Sequence, residues 1–281
     1  MRRVHCALAM GLLLSAATVR AAEERPAGWE AGFGFGAVSF PAYRGARERA
    51  VWPFPMPYVV YRGPLLRIDR SDVGAVVLDR PDLRFGFSLN ASPPVRSKDA
   101  KVRSGMPALR STIEVGPAMD ISFWHDRSGA TRLWLQIPLR AGITVERSPD
   151  AIGFVGGTYL NLDRDGWLGI PGLNLGLRAG PTFQSRRFDA YYYDVSQAQA
   201  RPGREQYEAR GGYAGSGLTI SITRRRDRVW VGGFLRYESL AGASFTDSPL
   251  VQSRQVLAGG FAVAWIFAKS TATAPDTIFG R

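Results

Sequence analysis

The dominant pattern along the chain is strict alternation of apolar and polar or small residues. Between 111 and 123, Ile113, Val115, Pro117, Met119, Ile121 and Phe123 fall on one face, and Thr112, Glu114, Gly116, Ala118, Asp120 and Ser122 on the other. A strand sends successive side chains to opposite faces, so this period of two predicts β-structure with one apolar face. Leu133, Leu135, Ile137 and Leu139 repeat the pattern against Arg132, Gln136 and Arg140; Leu257, Phe261, Val263, Trp265 and Phe267 repeat it near the end. No segment carries a run at helical spacing. About twelve strands are expected, at 28–40, 51–61, 64–69, 73–79, 82–90, 111–123, 132–145, 152–162, 167–184, 206–223, 228–240 and 255–267.

Turn residues separate these strands. Asp126-Arg127-Ser128-Gly129 and Asp163-Arg164-Asp165-Gly166 read as tight polar turns, and Arg224 to Asp227 leaves room for a hairpin only. Longer connections lie at 41–50, 91–110, 185–205 and 241–254. Short and long connections mostly alternate, and no composition shift divides the chain. One domain is expected: an all-β, single antiparallel transmembrane barrel with short periplasmic turns and longer external loops. Three features favour a membrane barrel over a soluble one. Charged and glycine-rich faces oppose the apolar stripes. Aromatic residues such as Trp29, Trp124, Trp167, Trp230 and Trp265 collect near strand ends, as interfacial girdles do. An even strand count returns both termini to the periplasm, and only a closed sheet satisfies its backbone in lipid.

The start of the chain reads differently. Arg2 and Arg3 precede 13 uncharged residues, Ala7 to Val19, and small residues follow. This is the pattern of a secretory signal peptide, 1–21, cut between Ala21 and Ala22. The barrel is expected over 22–267, and 268–281 as a periplasmic tail. Losing Arg2, Arg3 and Arg20 takes the net charge from +12 to +9 and removes Cys6, the one cysteine. A mature chain without thiols and with His125 alone among histidines gives no basis for a metal site or other cofactor. Its basic balance suits the phosphates of outer-membrane lipid and lipopolysaccharide more than nucleic acid, which an exported protein rarely meets.

The order of segments resembles the MltA-interacting protein / OmpV family of outer-membrane proteins. Gly28-Trp29-Glu30 and Gly32-Phe33-Gly34 look like its first strand, Pro41-Ala42-Tyr43-Arg44-Gly45 like its first loop, and Pro53-Phe54-Pro55-Met56-Pro57-Tyr58 like its proline-aromatic stretch. Tyr192-Tyr193-Asp194-Val195-Ser196, Ala209-Arg210-Gly211-Gly212-Tyr213, Arg236-Tyr237-Glu238-Ser239-Leu240 and Asp247-Ser248-Pro249-Leu250-Val251 follow in order. The chain departs from the usual aromatic ending of such barrels, since residues follow Trp265-Ile266-Phe267. The resemblance implies a non-enzymatic scaffold for a periplasmic murein hydrolase and synthase. The alternatives are a passive or anion-preferring channel and a surface adhesin.

Site candidates are few. Arg96, Lys98, Lys101, Arg103 and Arg110 form a possible external basic loop for surface phosphates. Arg140, Arg178 and Arg236, if lumenal, would make the interior basic. His125, Asp126 and Ser128 share one tight turn, where a nucleophile, base and orienting acid cannot easily line up, so no catalysis is expected.

Overall fold

The computed structural model describes residues 28–62, 66–68, 73–96 and 100–271, with positions 62, 66–68 and 73–76 described by their backbone alone. The expected leader, its Ala21/Ala22 cut, Lys98 and residues 272–281 of the tail lie outside the described residues.

The alternating segments form β1 (Trp29–Pro41), β2 (Arg49–Arg62), β3 (Leu66–Ile68), β4 (Val73–Asp79), β5 (Leu83–Ser92), β6 (Thr112–His125), β7 (Thr131–Thr144), β8 (Ala151–Gly157), β9 (Tyr159–Arg164), β10 (Leu173–Gln184), β11 (Gly212–Arg226), β12 (Val229–Ser239) and β13 (Gln255–Lys269). Apart from β8 and β9, which do not pair with each other, each pairs antiparallel with its sequence neighbours, and β13 returns to pair with β1 through Phe33↔Trp265 and Phe35↔Val263. The sheet is therefore a ring. β8 and β9 are two halves of one staggered strand. β8 pairs with 139–143 of β7 and 182–184 of β10, while β9 pairs with 131–136 and 175–179 of the same strands. Counted so, the ring has the expected twelve strands.

The two faces of the wall are inverted relative to a water-soluble protein. On β1, Phe33 and Phe35 are 47% and 68% exposed, whereas Glu30 between the same neighbours is 2% exposed. β6 repeats this: Ile113, Val115 and Phe123 point out, and Thr112, Glu114, Asp120 and Ser122 are buried. Burying charges while exposing phenylalanines is stable only if the outside is hydrocarbon. Each phenylalanine leaving water for lipid then contributes roughly 1.5–3 kcal/mol, and the strand ladders satisfy backbone groups for which the bilayer offers no partner. A helix could not do this here, since no described helix is long and apolar enough to cross.

Strand parity places the start of β1, the end of β13 and the connections at 80–82, 126–130, 165–172 and 227–228 at one end. The connections at 42–48, 93–111, 145–150, 185–211 and 240–254 lie at the other. The first end is periplasmic and the second external. Two expected strand starts fall later than the alternation suggested. Residues 167–169 form a 3-10 turn with Leu168 at φ +57°, so β10 begins at Leu173. Tyr207 pairs with Val195 inside a loop, so β11 begins at Gly212.

Inside the ring, polar groups satisfy one another. Arg140 Nε donates to Ser88 Oγ at 2.9 Å, and its Nη1 lies 3.5 Å from Glu114. Trp134 Nε1 donates to Asp163 at 2.7 Å. Near the periplasmic end, Arg225 pairs with the buried Glu30, which also accepts from Tyr58 Oη at 3.2 Å. Tyr58 packs on Trp230 with ring centroids 5.7 Å apart, joined by Val60, Ala262, Ala264 and Ile266.

Candidate functional site

The larger of the two clusters of buried apolar residues in the described chain is built mainly by the external loops and not by the wall. Tyr43 and Ala46 from 42–48, Ala100, Met106 and Leu109 from 93–111, Tyr193, Val195 and Ala209 from 185–211, and Leu240, Ala243, Phe245 and Leu250 from 240–254 form one cluster. These loops start from β1/β2, β5/β6, β10/β11 and β12/β13, which stand around the ring. A shared core requires them to meet across its external mouth, as a cap.

Each loop is held by side-chain chemistry its sequence supplies. Ser185 caps α1 (Arg186–Tyr193) by accepting from the Phe188 N–H. This short helix delivers Tyr193, whose ring stacks on Phe245 at 4.0 Å and 6°. Tyr193 Oη donates to the Arg44 carbonyl at 2.9 Å, and Tyr43 Oη to that of Leu250 at 2.7 Å. Ser248 Oγ donates to the Tyr193 carbonyl at 2.8 Å, and the Asp194 carboxylate accepts from the Ala209 N–H at 2.6 Å. Arg44 reaches down to Glu238 at 2.8 Å and to the Ala214 carbonyl at 2.6 Å, tying the cap to the wall. Burial opposes the Arg44 charge, but the Glu238 carboxylate and the Tyr193 and Tyr159 hydroxyls together raise its pKa. Burial pushes the Tyr193 hydroxyl well above the usual tyrosine range and the Asp189 carboxyl up to about 7; the Ser244 hydrogen bond to Asp189 and the Arg44 charge pull the other way.

The predicted basic loop does not stand outside as a unit. Arg96 and Lys101 are exposed; Lys98 lies outside the described residues. Arg103, expected to face outward, is 4% exposed: it donates to the Tyr192 carbonyl at 2.7 Å and lies over the Tyr43 ring at 5.8 Å. Burial lowers its pKa. The reason is that α1 leaves the Tyr192 carbonyl at its last turn without a helical partner, and a guanidinium supplies a strong donor there. Arg110 pairs with Glu146, and its N–H donates to Tyr191 Oη at 2.8 Å.

Arg140 and Arg178 occupy the lumenal face, but not as free cations. Arg140 is balanced by Glu114, and Arg178 lies over the Tyr159 ring at 4.0 Å. Arg236 shares parity with the buried Glu238 and contacts its carboxylate, with its side chain half exposed. In the 126–130 turn, Ser128 Oγ donates to Asp126 Oδ1 at 2.9 Å, and His125 Nδ1 lies 3.2 Å from the Asp126 carbonyl. Thr131 and Arg164 also donate to Asp126 at 3.0 Å. The carboxylate thus organises the turn, and the serine points to it and not to the histidine. Although desolvation raises it, hydrogen bonds from Ser128, Thr131 and Ala130 bring Asp126 down to about 2. Sequence reasoning missed the cap core and Asp189. The available signal was that the motifs around Tyr43, Tyr193, Gly211, Glu238 and Leu250 combine tyrosines with small residues in segments too long for turns.

Residues 33–267 match the family described as MltA-interacting protein MipA. The chain belongs to that family. No curated protein matches the chain in sequence. Solved structures similar to this MipA-family chain include the CymD monoaromatic hydrocarbon channel, 9% identical, covering 86% of this chain and 89% of that one with a TM-score of 0.36. Outer membrane phospholipase A from Escherichia coli is 10% identical, with coverage of 84% and 92% and a TM-score of 0.30. The outer membrane protein OprG from Pseudomonas aeruginosa is 8% identical, with 86% and 94% covered and a TM-score of 0.21. The motifs that carried the family resemblance in the C-terminal third are the ones that build the cap. The protein is an outer-membrane β-barrel of the MipA family.

Proposed function

We propose that the protein is exported by its N-terminal leader and acts, without catalysis of its own, as a scaffold holding periplasmic peptidoglycan-remodelling proteins at the inner face of the outer membrane. The partner class follows the family's description as interacting with MltA, and the resemblance extends it to a murein hydrolase and a synthase. One observation carries the reading. The periplasmic turns are short and internally bonded, yet they present exposed charge: Arg127 on the Asp126 turn, and Arg224, Arg226, Asp227 and Arg228 on the β11–β12 hairpin. A rigid surface of fixed charges loses little entropy on binding and selects partners by electrostatic complement. The paired state of Arg140 and the packed cap weigh against an anion-preferring channel. At the other end, exposed Arg47, Arg49, Arg96 and Lys101 suit lipopolysaccharide phosphates.

In-cell photo-crosslinking tests this. Probes at Arg127, Arg226 and Arg228 are expected to capture murein hydrolases or synthases, and probes at Arg96 and Lys101 to capture lipopolysaccharide. Periplasmic probes that yield no cell-wall enzyme while the external ones react would end the scaffold reading.

A further inference from the structure

The wall is not of even height. Only the 20 residues from Gly63 to Asp82 separate β2 from β5, and they hold β3, β4 and three changes of direction. A tilted strand needs about 9–11 residues to cross the hydrocarbon layer, so two crossings would use about 18–22 residues and leave at most about two for three turns. The hairpin β3–β4 is therefore a half-height patch. Its ladder agrees. β3 meets β2 at Tyr61 and Arg62, and Ile68 already pairs with Val73, five positions on. β4 meets β5 only from Arg84 to Gly86. In the ring order, β2 has β1 and β3 as neighbours, and β5 has β4 and β6. Above the hairpin, on the external half, the edges of β2 over 49–60 and of β5 over 87–92 face each other without a ladder between described residues. The Lys101 N–H, which donates to Glu48 at 3.1 Å, bridges the two flanking loops above the break.

The sequence of β2 is that of an edge. Pro53, Pro55 and Pro57 share one parity and pair in register with Ala37, Phe35 and Phe33. Proline has no N–H to give, so the ladder to β1 rests on the residues between them, and the prolines turn their nitrogens toward the break. Three of the donors that an open edge would leave in hydrocarbon are thereby absent, and the strand resists pairing with another chain. A second, independent feature lies behind the break. Elsewhere the lumenal parity is largely polar or small, as in Thr112, Glu114 and Gly116 of β6 or Ala258, Gly260 and Ala262 of β13, but on β2 it reads Trp52, Phe54, Met56, Tyr58, Val60. Phe54 lies over Gly36 of β1, where an added Cβ would come within 2.8 Å of its ring. Trp52 is 44% exposed, and Phe54 and Met56 are half-buried.

An interruption within the lipid-facing belt, with a donor-poor edge and an apolar lumenal surface behind it, fits one kind of visitor. We propose that the break between β2 and β5 is a lateral portal through which an acyl chain of the outer leaflet enters the barrel and lies against Trp52, Phe54 and Met56. The cap above and the Tyr58–Trp230 contact below make this side entry the short route from hydrocarbon to the lumen.

The test uses the full chain with Cys6→Ser, reconstituted in phosphatidylcholine vesicles whose acyl chains carry bromine. A bimane fluorophore is placed at Phe54→Cys, at the lipid-facing Phe35→Cys, and at Ala118→Cys, which faces inward on the closed wall. Quenching by the brominated chains is expected at position 54 to approach that at 35 and to exceed that at 118 several-fold. Quenching at 54 by aqueous iodide alone, or by neither agent, overturns the portal. Quenching that depends on the protein-to-lipid ratio places a second copy in the break and overturns it too. Met56→Cys carries the same measurement if Phe54→Cys does not fold, folding being read from heat-modifiable gel migration.

Discussion

Asp189 is fully buried in the cap, takes one hydrogen bond from Ser244, and faces Arg44, Asp194 and Tyr207. Burial raises its folded pKa to about 7 from an ordinary 3.8. Between those values the folded state holds a proton that the unfolded state has released. The contribution of Asp189 to the stability of the cap is therefore greatest below pH 4 and declines as pH rises to about 7. Protease nicking within 186–211 is expected to be faster at pH 8 than at pH 5, and Asp189→Asn to remove most of that difference. Equal nicking at both pH values in the unaltered protein would refute this. Sequence alone did not expose the residue. Asp189 sits in an unremarkable Arg-Arg-Phe-Asp run, and its burial comes from Ser244, 55 positions away. Arg103 escapes sequence reasoning for a related reason: it stands in a run with Lys98 and Lys101, and its partners, the Tyr192 carbonyl and the Tyr43 ring, come from other loops.

Elements were far more legible than contacts. A strand's facing is a local property, so the Phe33/Phe35 and Ile113/Val115 alternations located β1 and β6 within two residues. The offset at β10 arose because alternation continued through residues whose backbone had already turned at Gly166, Leu168 and Gly169. The split of β8 from β9 left no trace in the pattern. The seam β1–β13 adds a requirement on size. At Gly34 an added Cβ would lie 1.9 Å from the Val263 carbonyl, and at Gly32 2.4 Å from that of Trp265. Glycine is needed there for close approach. Gly34→Leu is expected to block ring closure and abolish the heat-modifiable folded band. A variant that still migrates as a folded barrel would show that the seam can open to admit the side chain.

At the scale of the molecule, inversion is the governing fact: carboxylates inside, phenylalanines outside. Phe35 lies midway along β1 and is 68% exposed. Phe35→Arg is expected to lower stability by about 2–4 kcal/mol in a bilayer, the usual penalty for a lipid-facing cation near the midplane. Denaturant titration in lipid vesicles would measure it, and an unchanged midpoint would contradict a lipid-facing β1. The cap has a reach of another kind. Its core joins Tyr43 to Leu250 across 207 positions, and α1 sits between. It cannot form until the first and last strands have met. To the outside world, then, a newly inserted molecule and a finished one differ in their exposed face. An antibody selected against the intact cap would recognise completed barrels only, and its binding at the cell surface would time the last step of assembly.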